Sequence, residues 1–111
     1  LQIEDDGSLL NTLALRLVDH ANFLRNTIKN AGTGITVSNH HSCAFGKWYD
    51  SCREKYADIP EFREIDKPHE MVHTAAQMVV NKATVENVEL LVRSSSEILA
   101  SFMQLADKLV C

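Results

Sequence analysis

The sequence predicts an all-α fold: an antiparallel four-helix bundle with a short connector helix or loop, assembled as a dimer. Three observations carry this. Apolar residues recur at spacings of three and four over most of the chain, which lines them up on one helical face. No stretch alternates apolar and polar residues between turn signals, as a half-buried strand would. The breakers Gly32, Gly34, Pro60 and Pro68 fall between the periodic segments and so divide the chain into four.

The first segment runs from Ser8 to Lys29, with Leu10, Leu13, Leu17, Ala21, Leu24 and Ile28 on its stripe and Ala31-Gly32 as its stop. His20 shares the wheel position of Ala21, so it is expected inside or at the edge of the core. Residues Gly32 to His41, rich in Gly, Thr, Ser and Asn, read as a loop that can fold back a long way. A shorter helix is expected from Ser42 to about Tyr56, with Phe45, Trp48, Tyr49, Cys52 and Tyr56 on one stripe. Cys43 lies off that stripe beside Gly46, whose missing side chain admits a neighbouring backbone.

Pro60 and Pro68 bracket an acidic connector, Glu61 to Lys67, in which Asp66 is the expected N-cap of the third helix and Pro68 sits in its first turn. That helix runs to about Lys82, and its face His69, Val72, His73, Ala76, Val79, Val80 and Ala83 opens on two histidines and continues apolar. Thr84 caps the last helix, whose stripe is Val88, Leu91, Val92, Ser95, Leu99, Phe102, Leu105 and Leu109. At ~1.5 Å rise per residue the first and last helices exceed 30 Å and overhang the middle pair. Their unmatched apolar stripe points to a dimer partner, although a fragment cut from a longer rod would show the same stripe.

A length of 111 residues suits one hydrophobic core, so residues 1–111 are expected to form a single domain. With 45% hydrophobic and 23% charged residues the chain has a globular balance rather than a disordered one. A net charge of -4 disfavours nucleic acid and anionic membrane as partners, because both are held by basic surfaces. Neither a membrane-spanning run nor a signal peptide is visible. Three cysteines, an odd number, fit reduced thiols in the cytoplasm better than a disulfide framework. The chain opens without methionine and stops inside a helical pattern, as a piece of a longer protein would.

The strongest chemical signal is a set of metal ligands: His20, Cys43, His69 and His73, contributed by three helices. His69 and His73, at i and i+4, share one helix face with roots about 6 Å apart, as two corners of a metal tetrahedron require. Four protein ligands leave no open position, which marks a structural or sensing site, and the mixed nitrogen and sulfur set selects zinc over copper or iron. At a helix start Cys43 is expected to have a lowered pKa. His69-Glu70-Met71-Val72-His73 also spells the H-E-x-x-H of zinc proteases. That chemistry needs a third ligand, for which only Glu86, Glu89 or Glu97 is available downstream, and a peptide-holding edge; an enzyme is therefore not expected. His41, and less so His40, compete with His20 for the fourth position. Cys52 reads as core filling, and Cys111 is terminal.

The run Cys43-Ala44-Phe45-Gly46-Lys47-Trp48-Tyr49, with His20 upstream and the His69/His73 pair downstream, resembles the chemoreceptor zinc-binding domain family. The resemblance implies a dimeric four-helix fold holding zinc through His20, Cys43, His69 and His73. It also implies a cytoplasmic sensory domain of a bacterial chemoreceptor or diguanylate cyclase, coupled to an output module of the same polypeptide. The signal would be an oxidant such as hypochlorous acid acting on Cys43, or zinc itself. A structural zinc site in a dimerisation module is the alternative.

Overall fold

The computed structural model describes the backbone of residues 2–110 and the side chains of residues 11–108. The expected ligands lie within that range; Leu10, Leu109 and Cys111 fall outside the described side chains. The described residues are helical, without strands: α1 Gln2–Lys29, α2 Ala44–Ser51, α3 Pro60–Arg63, α4 Asp66–Asn81 and α5 Val85–Val110. The all-α class is thus observed, with the acidic connector folded as the single turn α3. Pro60 occupies the first turn of α3, where its missing N–H costs nothing.

Helices α4 and α5, joined by three residues, pack along each other as a hairpin; α1 lies against both, α2 against α1 and α3 against α5. Thr84 caps α5, its hydroxyl accepting the Asn87 N–H at 3.2 Å. Asp66 was expected to cap α4 but is its first helical residue, because the buried Ile65 already has helical backbone and takes the cap position without a side-chain bond. The aromatic stripe of α2 packs inward as expected. Phe45 and Tyr49 are buried and Tyr49 stacks on Phe62 at 4.4 Å, while Trp48, Cys52 and Tyr56 are half-buried against the same core.

Two stripes point elsewhere than expected. On α1 the face toward α4 and α5 carries Leu13, His20 and Thr27, all buried, so Leu17 at 40% and Ile28 at 56% remain exposed. On α5 the buried line is Leu91, Ser94, Ser95, Ile98, Phe102 and Leu105, leaving Val92 at 59% and Leu99 at 40% exposed. In both helices the apolar sector is wider than the core beside it, and periodicity alone does not say which edge is covered.

What places the chemistry is the loop between α1 and α2, which runs back along α4. Gly32 and Gly34, at φ 78° and 77°, donate their N–H groups to the carbonyls of Val79 and Val80, which lack helical partners at the end of α4. One turn further down, Gln77 accepts the Val37 N–H at 2.8 Å and donates to the Ile35 carbonyl at 2.9 Å. The chain therefore reaches Cys43 in register with the first turns of α4.

Candidate metal centre

Cys43 is the N-cap of α2, its sulfur accepting the Gly46 N–H at 3.2 Å. The cap fixes the sulfur at the tip of a short helix facing α4. There Sγ lies 3.3 Å from Nε2 of His69. His73 donates from Nδ1 to the carbonyl of Ser38 at 2.6 Å. A carbonyl only accepts, so the proton is on Nδ1 and the Nε2 lone pair is free to bind a metal, the usual way an outer partner sets a ligand histidine. Ligand atoms of Cys43, His69 and His73 all fall within 4.8 Å of one another.

This set fits zinc. Metal bonds of 2.0–2.3 Å in a tetrahedron put neighbouring ligand atoms roughly 3.3–3.8 Å apart, the range in which the sulfur–nitrogen separation of 3.3 Å falls. The imidazoles are held neutral, as ligation requires. Burial drives His69 down to about 3, with His73, His40 and His20 nearby adding to it. Burial likewise lowers His20 and His73, the Ser38 carbonyl opposing it for His73. Burial pushes the Cys43 thiol up, against the opposing pull of the Gly46 and Phe45 N–H groups. The expected lowering by the helix start is therefore outweighed in the metal-free chain, because half-burial costs the thiolate more than the cap returns. A bound cation would reverse that balance.

His20 is buried and faces the cavity of about 460 Å³ that Cys43, His69 and His73 also line. Its Nε2 is held by the Ser95 hydroxyl at 2.8 Å, and it stands outside the group of three. His41 points away, its Nδ1 bonded to the exposed Asp50 at 2.8 Å. His40 is nearer, with its ring centroid 5.7 Å from that of His69. Glu70 is exposed on α4, and Glu86, Glu89 and Glu97 are exposed on α5. None of the glutamates needed for the protease alternative belongs to the cluster.

Sequence reasoning missed three supports. Gln77 was legible, since it continues the His69/His73 face at the next i+4 step. Ser95 was placed on an apolar stripe without a partner. The Ser38 carbonyl leaves no trace in the sequence, because its role belongs to backbone.

A helical chain bringing a thiol and two neutral imidazoles from separate segments to one buried point is a metal-binding domain of the mixed nitrogen and sulfur kind. The family model of the chemoreceptor zinc-binding domain matches residues 19–80, a span that holds all four expected ligands. The chain belongs to that family, and is accordingly a zinc-binding sensory domain. No curated protein and no solved structure matches it. Among the described residues, no helix is long and apolar enough to cross a membrane.

Proposed function

We propose that the chain is the cytoplasmic zinc-thiolate sensor of a bacterial signalling protein, a chemoreceptor or a diguanylate cyclase, and that it reports hypochlorous acid through Cys43. One observation carries the reading: the thiol that contacts His69 is also the cap of α2, so its chemistry and the attachment of a helix are one event. Family membership supplies the sensory context. The ligand set proposed is Cys43, His69 and His73 with His20 as the fourth, which requires the His20 ring to present Nδ1 or to leave Ser95.

Zinc, when bound, holds the Cys43 sulfur as a thiolate and ties α2 to α4. The thiolate attacks the chlorine of hypochlorous acid and expels hydroxide; water then displaces chloride from sulfur. Net, thiolate and hypochlorous acid give sulfenic acid and chloride, sulfur losing the two electrons that chlorine gains. Neutral sulfenic acid is a weaker ligand and a weaker acceptor for the Gly46 N–H, so the first turn of α2 is released. In an antiparallel four-helix bundle paired with a second copy, that release reaches the output module as a shift of α2 against α1.

The test is to load the 111-residue chain with zinc, treat it with one equivalent of hypochlorous acid, and follow α2 by hydrogen exchange beside Cys43→Ser. Loss of α2 protection in wild type but not in the variant is expected. Equal loss in both would remove the redox role, and a chain that stays protected and zinc-loaded would instead mark a structural zinc site.

A further inference from the structure

We propose that His40 is a reserve zinc ligand, which takes the position of Cys43 once that sulfur is oxidised, so that the sensor uncaps α2 at Gly46 without releasing its metal. The inference rests on the zinc-thiolate reading and specifies how that site responds.

Among the described histidines four have hydrogen-bonded rings: His20 with Ser95, His41 with Asp50, His69 with Cys43 and His73 with Ser38. His40 has no such partner among the described residues, although it is half-buried and borders the site. Its ring centroid is 5.7 Å from that of His69, edge to face, beside 4.8 Å for His69 and His73. Two imidazoles on one tetrahedral zinc have centroids roughly 5 Å apart, so His40 stands just outside ligand range. To enter, the ring has to leave its packing against His41, whose centroid is 4.1 Å away.

The main chain at His40 is already pinned there. Its carbonyl oxygen would lie 1.8 Å from a Cβ at Gly46, so the turn is seated on the first turn of α2. The same turn is fastened from the other side by His41 on Asp50 and by Asn39, whose side chain accepts the N–H groups of His41 and Ser42 at 2.9 and 3.0 Å. His40 is thus held beside Cys43, its ring packed on that of His41 at 4.1 Å and without a hydrogen bond among the described residues. Zinc takes imidazole nitrogen as readily as thiolate, so an exchange of sulfur for nitrogen preserves a filled site. The oxidation itself is the balanced step above, with hypochlorous acid as the two-electron acceptor. Reduction of the sulfenic acid returns Cys43 to a metal that never left.

The experiment measures zinc per chain by mass spectrometry after gel filtration, for wild type, His40→Ala and His41→Ala, each reduced and after one equivalent of hypochlorous acid. All three should carry one zinc when reduced. After oxidation wild type and His41→Ala should keep it, while His40→Ala should lose most of it. An oxidant-free arm compares Cys43→Ala with Cys43→Ala/His40→Ala, where the double variant should bind zinc at least about tenfold more weakly. The inference is overturned if oxidised wild type sheds its zinc or oxidised His40→Ala retains it. It is equally overturned if reduced His40→Ala already lacks zinc, or if His41→Ala behaves like His40→Ala. Reduced wild type without zinc would overturn the proposed function itself, whereas zinc-loaded wild type with any of the other failures overturns only the reserve role.

Discussion

At the scale of single residues, the site is a contest between burial and ligation. His69 is neutral because burial holds its pKa at about 3, against 6.5 for the free side chain. Above pH 6.5 both folded and unfolded chains are neutral there and the full stability is present. As pH falls, the unfolded chain takes up a proton that the fold refuses, so stability declines between 6.5 and about 3, at up to about 1.4 kcal/mol per pH unit. His20 and His73, also lowered by burial, add in the same direction. For the zinc-free chain, urea midpoints should therefore hold from pH 7.5 to about 6.5 and fall from there to pH 5, where carboxylates stay ionised, and fall less steeply in His69→Gln; equal slopes would contradict the assignment. Gly46 poses a second contest. Alanine gains about 1 kcal/mol of helix propensity at most, but its Cβ meets the His40 carbonyl at 1.8 Å, and overpacking of this kind costs about 1–3 kcal/mol. Gly46→Ala should lower the urea midpoint and weaken zinc binding together; a more stable variant would show that the turn yields freely.

At the scale of elements, the working unit is α4 with the loop laid along it. His69, His73 and Gln77 follow at i, i+4 and i+8, and each holds a different part of residues 35–43: the Cys43 sulfur, the Ser38 carbonyl and the backbone of Ile35 and Val37. Gln77 touches no ligand, yet it sets how far the loop advances before Cys43 arrives. Gln77→Ala should leave helical content intact and weaken zinc binding about tenfold, the scale of an outer-shell loss. Unchanged affinity in a calorimetric titration would mean that the glycine contacts at Val79 and Val80 suffice. Much of this unit was legible: the histidine pair, the loop composition and the bare backbone at Gly46 follow from spacing and residue type. The loop's path was not, because its fasteners are mostly carbonyls and N–H groups that every residue possesses. Nor was the outward turn of the α1 stripe, since Leu17, Ala21 and Ile28 keep helical period on whichever side the neighbours lie.

At the scale of the molecule, 48 Å long and about 20 Å across, the wide apolar sectors of the long helices have consequences of their own. On α5, Val85, Val88, Val92, Leu99 and Met103 are all exposed. At 100° per residue they fall within about 60° of the helix circumference, adjoining the buried line through Leu91, Ile98 and Phe102. Scattered exposed apolar residues need no explanation, but residues aligned on one face over this length, broken only at Ser95 and Ser96, suit an interaction face. The 3, 4, 7 and 4 spacing suits the seam of two helices packed side by side. A second copy of the chain supplies the same stripe, so a two-fold pairing along α5 covers both at once. Because the buried line carries Ser95, the residue holding His20, such a seam would lie next to the metal centre and feel its rearrangement. The zinc-loaded chain should sediment at twice the 12.4 kDa monomer mass, and Val92→Glu/Met103→Glu should sediment as monomer with its zinc intact. A monomeric wild type would assign the stripe to a different partner, whereas loss of zinc in the variant would mean that pairing and metal site are one structure rather than two neighbours.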